Sequence, residues 1–387
     1  MPLLDSFTKI LNDSHNTVWN NYERLKILAI RYGLDPVKLS KWKGPGEPAL
    51  AYGAMSWWSC QEFAHAIQLV EAGISAGRAM ITYGFIHQKP KVSYSNLAGV
   101  AVQIELGDLL VIRHHFKFKS SVPEGRAFII QAKANKSPST GALSPGDRCQ
   151  LELYQDWSKG FTFPHGEFKL PRNGKDWDFS KGTQAPVSHT GIYGVVLSIK
   201  KSTAILTKFP DACVWAVGFP SSTISRGKSL SVPAKTMSLS AALSGLVQGG
   251  FGRTWVTNPM DPDDHWSEFI NSVLSSADMK SSNAKLGRIG QEVPRLQEVT
   301  SFASSIPGLT YLLDSNHSRS SSSQEHKYSA IEDWQSSLIA SDQSPQGAFG
   351  NEAPASPHPG GMPFIYIATF GENSLDEPLR NSPNSPL

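Results

Sequence analysis

The sequence is poor in cysteine, in charge and in long apolar runs, and each absence excludes a class of protein. Three cysteines, Cys60, Cys149 and Cys213, stand far apart among 387 residues and form no C-x-x-C pair. Their number and spacing exclude a disulfide framework and a cysteine zinc site, and they favour a reducing compartment. No apolar run approaches the roughly 20 residues that a membrane-spanning helix needs.

The first residues and the overall charge indicate where the protein is located and which partners it can bind. The opening stretch, MPLLDSFTKILNDS, includes Asp5 and lacks the basic start and unbroken apolar core of a signal sequence. We therefore expect a cytoplasmic protein with no membrane partner. Charged residues make up 18% of the chain and the net charge is +3. This balance permits nucleic-acid binding, which would depend on local clusters of basic residues.

Motifs of two common nucleotide-binding classes are missing. No G-x-G-x-x-G sequence indicates a dinucleotide site, and the glycines of GGFGR (249–253) lack the Lys-Ser/Thr pair of a P-loop. The acidic segment MDPDDHW (260–266) is better explained as a turn with an aspartate N-cap than as a metal site. Apolar residues are abundant, at 40% of the chain, and this indicates a packed globular core.

The composition changes along the chain and predicts three regions. Residues 1–50 have apolar residues at helical spacing and are expected to form a helical N-terminal region. Residues 51–277 mix helical and strand periods and are expected to form an α/β domain. Residues 278–387 are rich in Ser, Pro and Gly and are expected to be a largely flexible tail. One apolar segment in that tail, 363–370, could dock back as a strand.

Within the central region the order of patterns predicts an α/β fold with a central mixed β-sheet flanked by helices. Residues 56–73 place apolar side chains on one helical face, with a serine at the start and a glycine at the end. From about 90 to 135 the period shortens to two, which predicts strands around a turn near Pro123. Further helices are predicted at 146–160, 238–255 and 264–277, and further strands at GIYGVVLSI and ACVWAVGFP.

Polar side chains stand at the end of one apolar strand, in RAFIIQAKANK (126–136). Gln131 and Lys133 are two residues apart, so they project from the same face of the strand. Asp108 opens the preceding apolar strand, DLLVI. If the two strands pair as a hairpin, the start of one lies against the end of the other. A carboxylate, an amide and an ammonium group are then expected to converge at one end of the sheet.

This trio suits phosphodiester hydrolysis. A hard cation such as Mg²⁺ or Mn²⁺ prefers oxygen ligands, which Asp108, the side-chain oxygen of Gln131 and the backbone carbonyl of Ala132 could supply. The cation would polarise the phosphate and lower the pKa of a bound water. Lys133 would position that water and offset the charge of the transition state.

The motif GD…QAK, at Asp108, Gln131 and Lys133, resembles the PD-(D/E)xK nuclease superfamily over about residues 56–160. Two positions depart from the family pattern: Gly107 stands where the family has proline, and Gln131 where it has an acidic residue. The resemblance implies a restriction-endonuclease-like core and a metal-dependent nuclease that acts on DNA. It also implies a role in bacterial defence or restriction, in which a protein partner from a multi-component system is common.

The resemblance adds further candidates around this trio. The family often supplies a glutamate from the first helix, and Glu71 is preferred to Glu62 because it lies nearer the apolar face. Glu105 is another candidate metal ligand if the chain kinks before Asp108. The helix after the third strand often carries polar groups near the site, and Gln150 and Tyr154 occupy that place as candidate substrate-binding residues.

Basic residues on the neighbouring strand are candidates for contacts with phosphates. In RHHFKFK (113–119), Arg113, His115 and Lys117 alternate along one face. The alternative is an ordinary solvated strand edge. Lys136, just beyond the trio, is a further candidate for binding substrate.

Two other functions stay open on the sequence. The amide of Gln131 removes one negative charge from the expected metal site, which favours a catalytically inactive nuclease-fold subunit that binds nucleic acid or a partner protein. A protein that becomes active only with a partner or a small-molecule signal is the third alternative.

Overall fold

A computed structural model of the chain gives the fold of the following residues: 3–31, 44–45, 47–54, 56–71, 78–87, 91–117, 124–138, 145–164, 171–182, 184, 186–219, 237–257, 259–283, 310–312 and 361–371. These residues form a mixed α/β structure in which helices flank a mixed β-sheet. Of the tail expected at 278–387, residues 278–283, 310–312 and 361–371 are described, and the rest lies outside the described residues.

The helices follow apolar patterns of helical spacing. Their bounds are α1 (Leu3–Arg31), α2 (Glu47–Gly53), α3 (Trp57–Glu71), α4 (Pro145–Gln155), α5 (Thr203–Leu206), α6 (Leu239–Val247) and α7 (His265–Asn283). Helix α1 buries one stripe of side chains that includes Phe7, Leu11 and Val18. This stripe packs on α2, α3 and α6, and α3 in turn packs on the first strand of the sheet.

Eleven strands are present in the described part of the chain. They are β1 (Arg78–His87), β2 (Lys91–Ser95), β3 (Ala101–Glu105), β4 (Leu109–Lys117), β5 (Glu124–Asn135), β6 (Gly191–Leu197), β7 (Trp215–Gly218), β8 (Met237–Ser238), β9 (Arg253–Trp255), β10 (Thr310–Leu312) and β11 (Gly361–Gly371). The main sheet has the order β10-β1-β11-β4-β5-β6-β7-β8, and β9 pairs with β5. Strands β2 and β3 form a separate hairpin. The β11–β4 and β5–β6 pairs are parallel and the others antiparallel, so the sheet is mixed.

The apolar segment near the end of the sequence forms strand β11. It lies between β1, with which it pairs antiparallel, and β4, with which it pairs in parallel. Its side chains from Phe364 to Thr369 are all buried. The centre of the sheet is therefore built from segments that are far apart along the chain.

Strand β5 determines where a site can form, because it is longer than its neighbour β4. The β4–β5 ladder runs from Leu109 opposite Ile130 to His115 opposite Glu124. On its other edge β5 pairs with β6 through Asn135. Residues 131–135 therefore have β6 on one edge and extend past the end of β4 on the other edge. We call the edge of residues 131–135 that extends past β4 the β5 rim.

Candidate functional site

Asp108 lies at the beginning of the β5 rim and continues the hydrogen bonding of β4 with its side chain. Its backbone N–H donates to the carbonyl of Ile130 at 2.9 Å. Its Oδ2 then accepts from the N–H of Ala132 at 2.7 Å. The carboxylate therefore occupies the place that the next backbone carbonyl of β4 would take.

Glu47 occupies the next amide along the β5 rim. It is the first residue of α2, directly after the glycine–proline segment GPG (44–46). Its Oε2 accepts from the N–H of Ala134 at 3.0 Å. Sequence reasoning missed this residue, because no pattern around GPGEP (44–48) links it to strand β5. The available signal was an acidic residue at the start of a short helix, which is common and carries no functional information by itself.

The two carboxylates lie close together because they accept from alternate residues of one strand. Ala132 and Ala134 are separated by about 7 Å along β5, given the rise of roughly 3.3 Å per residue. Lys133 stands between them and is partly buried. The rim therefore brings together Glu47, Asp108 and Lys133 over a short distance.

Charge and burial raise the pKa of Asp108 to about 7. The largest cause is desolvation, and the second is repulsion by Glu47. The hydrogen bond from Ala132 and the charge of Lys133 lower the pKa, and Glu105 raises it slightly. Repulsion between two half-buried carboxylates of this kind is common at functional sites, and a cation would relieve it.

Gln131 also contacts Asp108, and it does so as a donor. Its Nε2 donates to Asp108 Oδ2 in a short hydrogen bond. Its Oε1 accepts from Nε2 of Gln150, which also donates to the backbone carbonyl of Glu105 at 2.7 Å. The oxygen of Gln131, expected to face a metal, is therefore directed at Gln150.

Gln150 and Tyr154, both on α4, are buried and hold the site in place. The hydroxyl of Tyr154 donates to the carbonyl of Leu106 at 2.7 Å, and burial raises its pKa well above the ordinary value. A Cβ on Gly107 would lie 2.3 Å from Ile129 Cγ2 and 2.9 Å from the Tyr154 hydroxyl. These contacts require a residue without a side chain at position 107, where α4 packs closely on the turn before Asp108. Gln150 and Tyr154 are buried and bonded to backbone carbonyls, and their role as substrate-binding residues stays a prediction.

Two of the basic residues of RHHFKFK, Arg113 and His115, are not accessible. They are 0% and 1% exposed, and β4 is an interior strand with β11 on one edge and β5 on the other. His115 Nδ1 is hydrogen-bonded to Thr369 Oγ1 of β11 at 2.8 Å. Neither Arg113 nor His115 is accessible to phosphates or to water. For these two residues, both the proposed phosphate contacts and the alternative of a solvated strand edge are therefore wrong. The side chain of Lys117 lies outside the described residues, and Lys136 is exposed.

The two glutamates considered on α3 differ in what the structure describes of them. Glu71 is the last residue of α3, and its side chain lies outside the described part. The pKa of Lys9 is raised by its hydrogen bond with Asp13 and, to a smaller extent, by the charge of Glu62. Glu62 is thus close to α1, and the role proposed for Glu71 stays a prediction.

One other motif has a structural explanation, and a second lies outside the described residues. Oδ1 of Asp264 accepts from the N–H of Ser267 in the first turn of α7, which confirms the aspartate N-cap in MDPDDHW. The sequence GISAG (73–77) fits the G-x-S-x-G pattern of serine hydrolases and lies outside the described residues. It follows helix α3 and precedes strand β1, whereas a nucleophile elbow joins a strand to a following helix.

The rim has some of the properties of a cation site. Asp108 and Glu47 supply carboxylate oxygens whose mutual repulsion a divalent cation would remove. The carbonyl of Ala132 lies beside them, 3.4 Å from Gln131 Nε2. Among the described residues no group of three or more His, Cys, Asp or Glu side chains is arranged to hold a metal ion. Two carboxylates and a backbone carbonyl are the kinds of ligand that a hard cation prefers, whereas the Gln131 amide presents N–H and is unfavourable to one.

Comparisons of the chain with protein-family models, with curated proteins and with solved structures find no match. None of the helices in the described segments is both long and apolar enough to span a bilayer. What the site can do is inferred from its own geometry and charges.

Proposed function

We propose that the chain is a metal-dependent nuclease that hydrolyses phosphodiester bonds, with DNA as the expected substrate. We also propose that β4, β5, α3 and α4 form a restriction-endonuclease-like core. The observation that carries the proposal is the placement of Glu47 and Asp108 on alternate amides of the β5 rim, with Lys133 between them. Two carboxylates that hold a cation and an ammonium group that offsets negative charge can together support in-line attack on a phosphodiester.

Each residue has a distinct task in this proposal. Asp108 and Glu47 hold the cation, Mg²⁺ or Mn²⁺, which when bound supplies Lewis-acid polarisation of the phosphate and a more acidic water. Lys133 offsets the charge that develops on the phosphate oxygens. Lys136 is exposed three residues further on and contacts the flanking phosphates.

Cleavage of plasmid and single-stranded DNA with Mg²⁺ or Mn²⁺ tests the proposal. Asp108→Asn and Lys133→Met are each expected to reduce the cleavage rate by about 100-fold or more. The matched controls are Asp5→Asn and Lys208→Met, which change exposed residues of α1 and of the loop after α5. Equal cleavage by the wild type and both site variants would contradict the proposal.

A second function is favoured by one observation, the hydrogen bond from the Gln131 amide to Asp108. An amide donor at the cation position favours a nuclease-fold subunit that binds nucleic acid or a partner protein without cleaving. In the same experiment this function predicts no cleavage together with DNA that is retarded on a gel. The retardation should weaken with rising salt and should not require Asp108.

A further inference from the structure

We propose that Gln150 is a positioning residue that fixes the direction of the Gln131 amide and thereby lowers the cation affinity of the β5 rim. This inference rests on the proposed function and concerns the regulation of the same site. Its basis is a chain of hydrogen bonds that runs from α4 to the Asp108 carboxylate.

The backbone carbonyl of Glu105 determines which group donates and which accepts along this series of hydrogen bonds. The carbonyl of Glu105 can only accept, so the group facing it at 2.7 Å must be the Nε2 of Gln150. The same Nε2 donates to Oε1 of Gln131. The other half of the Gln131 amide, Nε2, is then directed at Oδ2 of Asp108.

Reversing the Gln131 amide alone produces two repulsive contacts. Its Oε1 would face the Asp108 carboxylate, and its Nε2 would face the donor Nε2 of Gln150. Reversing both amides removes the donor from the Glu105 carbonyl. Because Gln150 and Gln131 are 5% and 3% exposed, water is poorly placed to replace the lost hydrogen bond.

A cation beside Asp108 needs oxygen atoms, so the orientation imposed by Gln150 opposes it. With Gln150 present, Gln131 presents N–H to Asp108 and stabilises the carboxylate without a metal. Without that donor, the Gln131 amide is free to turn and present Oε1. Gln150 therefore determines how readily the site accepts a cation, although it would not contact the cation itself.

Calorimetric titration of the full chain with Mn²⁺ tests this role, with far-UV circular dichroism melting to establish that each variant folds. Gln150→Met keeps the length of the side chain and removes the donor, and it is expected to tighten Mn²⁺ binding about fivefold, the equivalent of one net hydrogen bond. Gln131→Glu supplies a carboxylate and is expected to tighten binding further. Gln155→Met, on the same helix and outside the chain of hydrogen bonds, is the matched control.

The effect must pass through Gln131, which a double-mutant cycle measures. In a Gln131→Leu background, Gln150→Met is expected to leave the Mn²⁺ affinity unchanged. Binding that depends on Asp108 but is not tightened by Gln150→Met overturns this inference and leaves the nuclease proposal standing. An equal effect of Gln150→Met in both backgrounds also overturns it. Absence of Mn²⁺ binding in every variant, including Gln131→Glu, overturns both.

Discussion

Glu47 and Asp108 accept hydrogen bonds from alternate backbone amides of strand β5, although one precedes helix α3 in the sequence and the other follows it. The relationship exists because β5 extends past β4 and leaves backbone N–H groups that need acceptors. Two carboxylates supply them, and the same two carboxylates create the charge repulsion at the site. The same carboxylates therefore satisfy the backbone N–H groups of β5 and carry the negative charge of the candidate site.

Glu47 is predicted to be as important for cleavage as Asp108. Glu47→Gln keeps an oxygen that can accept from Ala134 but removes the charge, so the fold is expected to persist while the cleavage rate falls by about 100-fold. Rates measured at saturating Mg²⁺ check this result. Glu62→Gln, on α3 near α1, is the control, and an equal loss in both variants would count against a role for Glu47.

Gly107 is predicted to tolerate no side chain. A Cβ there would meet Ile129 at 2.3 Å, so Gly107→Ala is expected to lower the free energy of unfolding by about 1–3 kcal/mol through overpacking. Urea denaturation measures the difference. Gly250→Ala is the control, because its nearest neighbour would be a carbonyl oxygen at 3.9 Å. Equal free energies of unfolding for the two variants would contradict the close packing of Gly107 against Ile129 and Tyr154.

His15 is predicted to make the protein acid-sensitive. It is buried on α1, its Nε2 donates to the carbonyl of Leu197 at 2.7 Å, and desolvation lowers its pKa from 6.5 to about 4. The folded state disfavours the charged form of the His15 imidazole. The stabilisation that comes from burying the neutral imidazole is therefore complete above pH 6.5. It is lost as the pH falls from 6.5 towards 4, and amounts to about 3 kcal/mol.

Denaturation curves between pH 4 and pH 7 check the effect. His15→Gln can keep a donor for the Leu197 carbonyl and cannot titrate, so its free energy of unfolding should change less over this range than that of the wild type. The exposed His65→Gln is the control and should follow the wild type. A His15→Gln variant with the same pH dependence as the wild type would contradict the assignment.

Strand β11 is predicted to be essential for folding. A chain ending at residue 360 leaves the facing edges of β1 and β4 without their partner and removes four large buried side chains, Phe364, Ile365, Tyr366 and Ile367. At about 2 kcal/mol for each, their burial is comparable with the whole stability of a typical domain. We expect the truncated chain to be insoluble or protease-sensitive. A chain ending at Gly371, which keeps β11, is the control, and a folded chain lacking β11 would contradict its central place in the sheet.

Local patterns predicted part of the fold and three of the four residues at the β5 rim, all except Glu47. Asp108, Gln131 and Lys133 could be brought together from the sequence, because a hairpin places the start of one strand beside the end of the next. The helices α3, α4, α6 and α7 and the strands β4 to β7 also lie within segments whose periodicity is local. By contrast, strand β1 was not predicted, and the helix predicted over 238–255 ends at Val247, with strand β9 at Arg253–Trp255.

The residues that sequence reasoning misplaced depend on contacts between distant segments. Glu47 reaches β5 from a glycine–proline break, and no periodicity links the two. The alternation in RHHFKFK was interpreted as an exposed edge, but β11 covers β4. His114 packs against Trp255 of β9 and is hydrogen-bonded to Tyr366 of β11 at 3.0 Å. Amide direction at Gln131 likewise follows from Gln150 and a carbonyl on another segment.

Anomalous scattering from a crystal of the protein soaked in Mn²⁺ tests the central claim most directly. The account predicts a peak at about 2.0–2.6 Å from a carboxylate oxygen of Asp108 and from one of Glu47, beside the β5 rim. The same crystal of Asp108→Asn should lose that peak. A peak elsewhere, with none at the rim under conditions that support cleavage, would contradict the account.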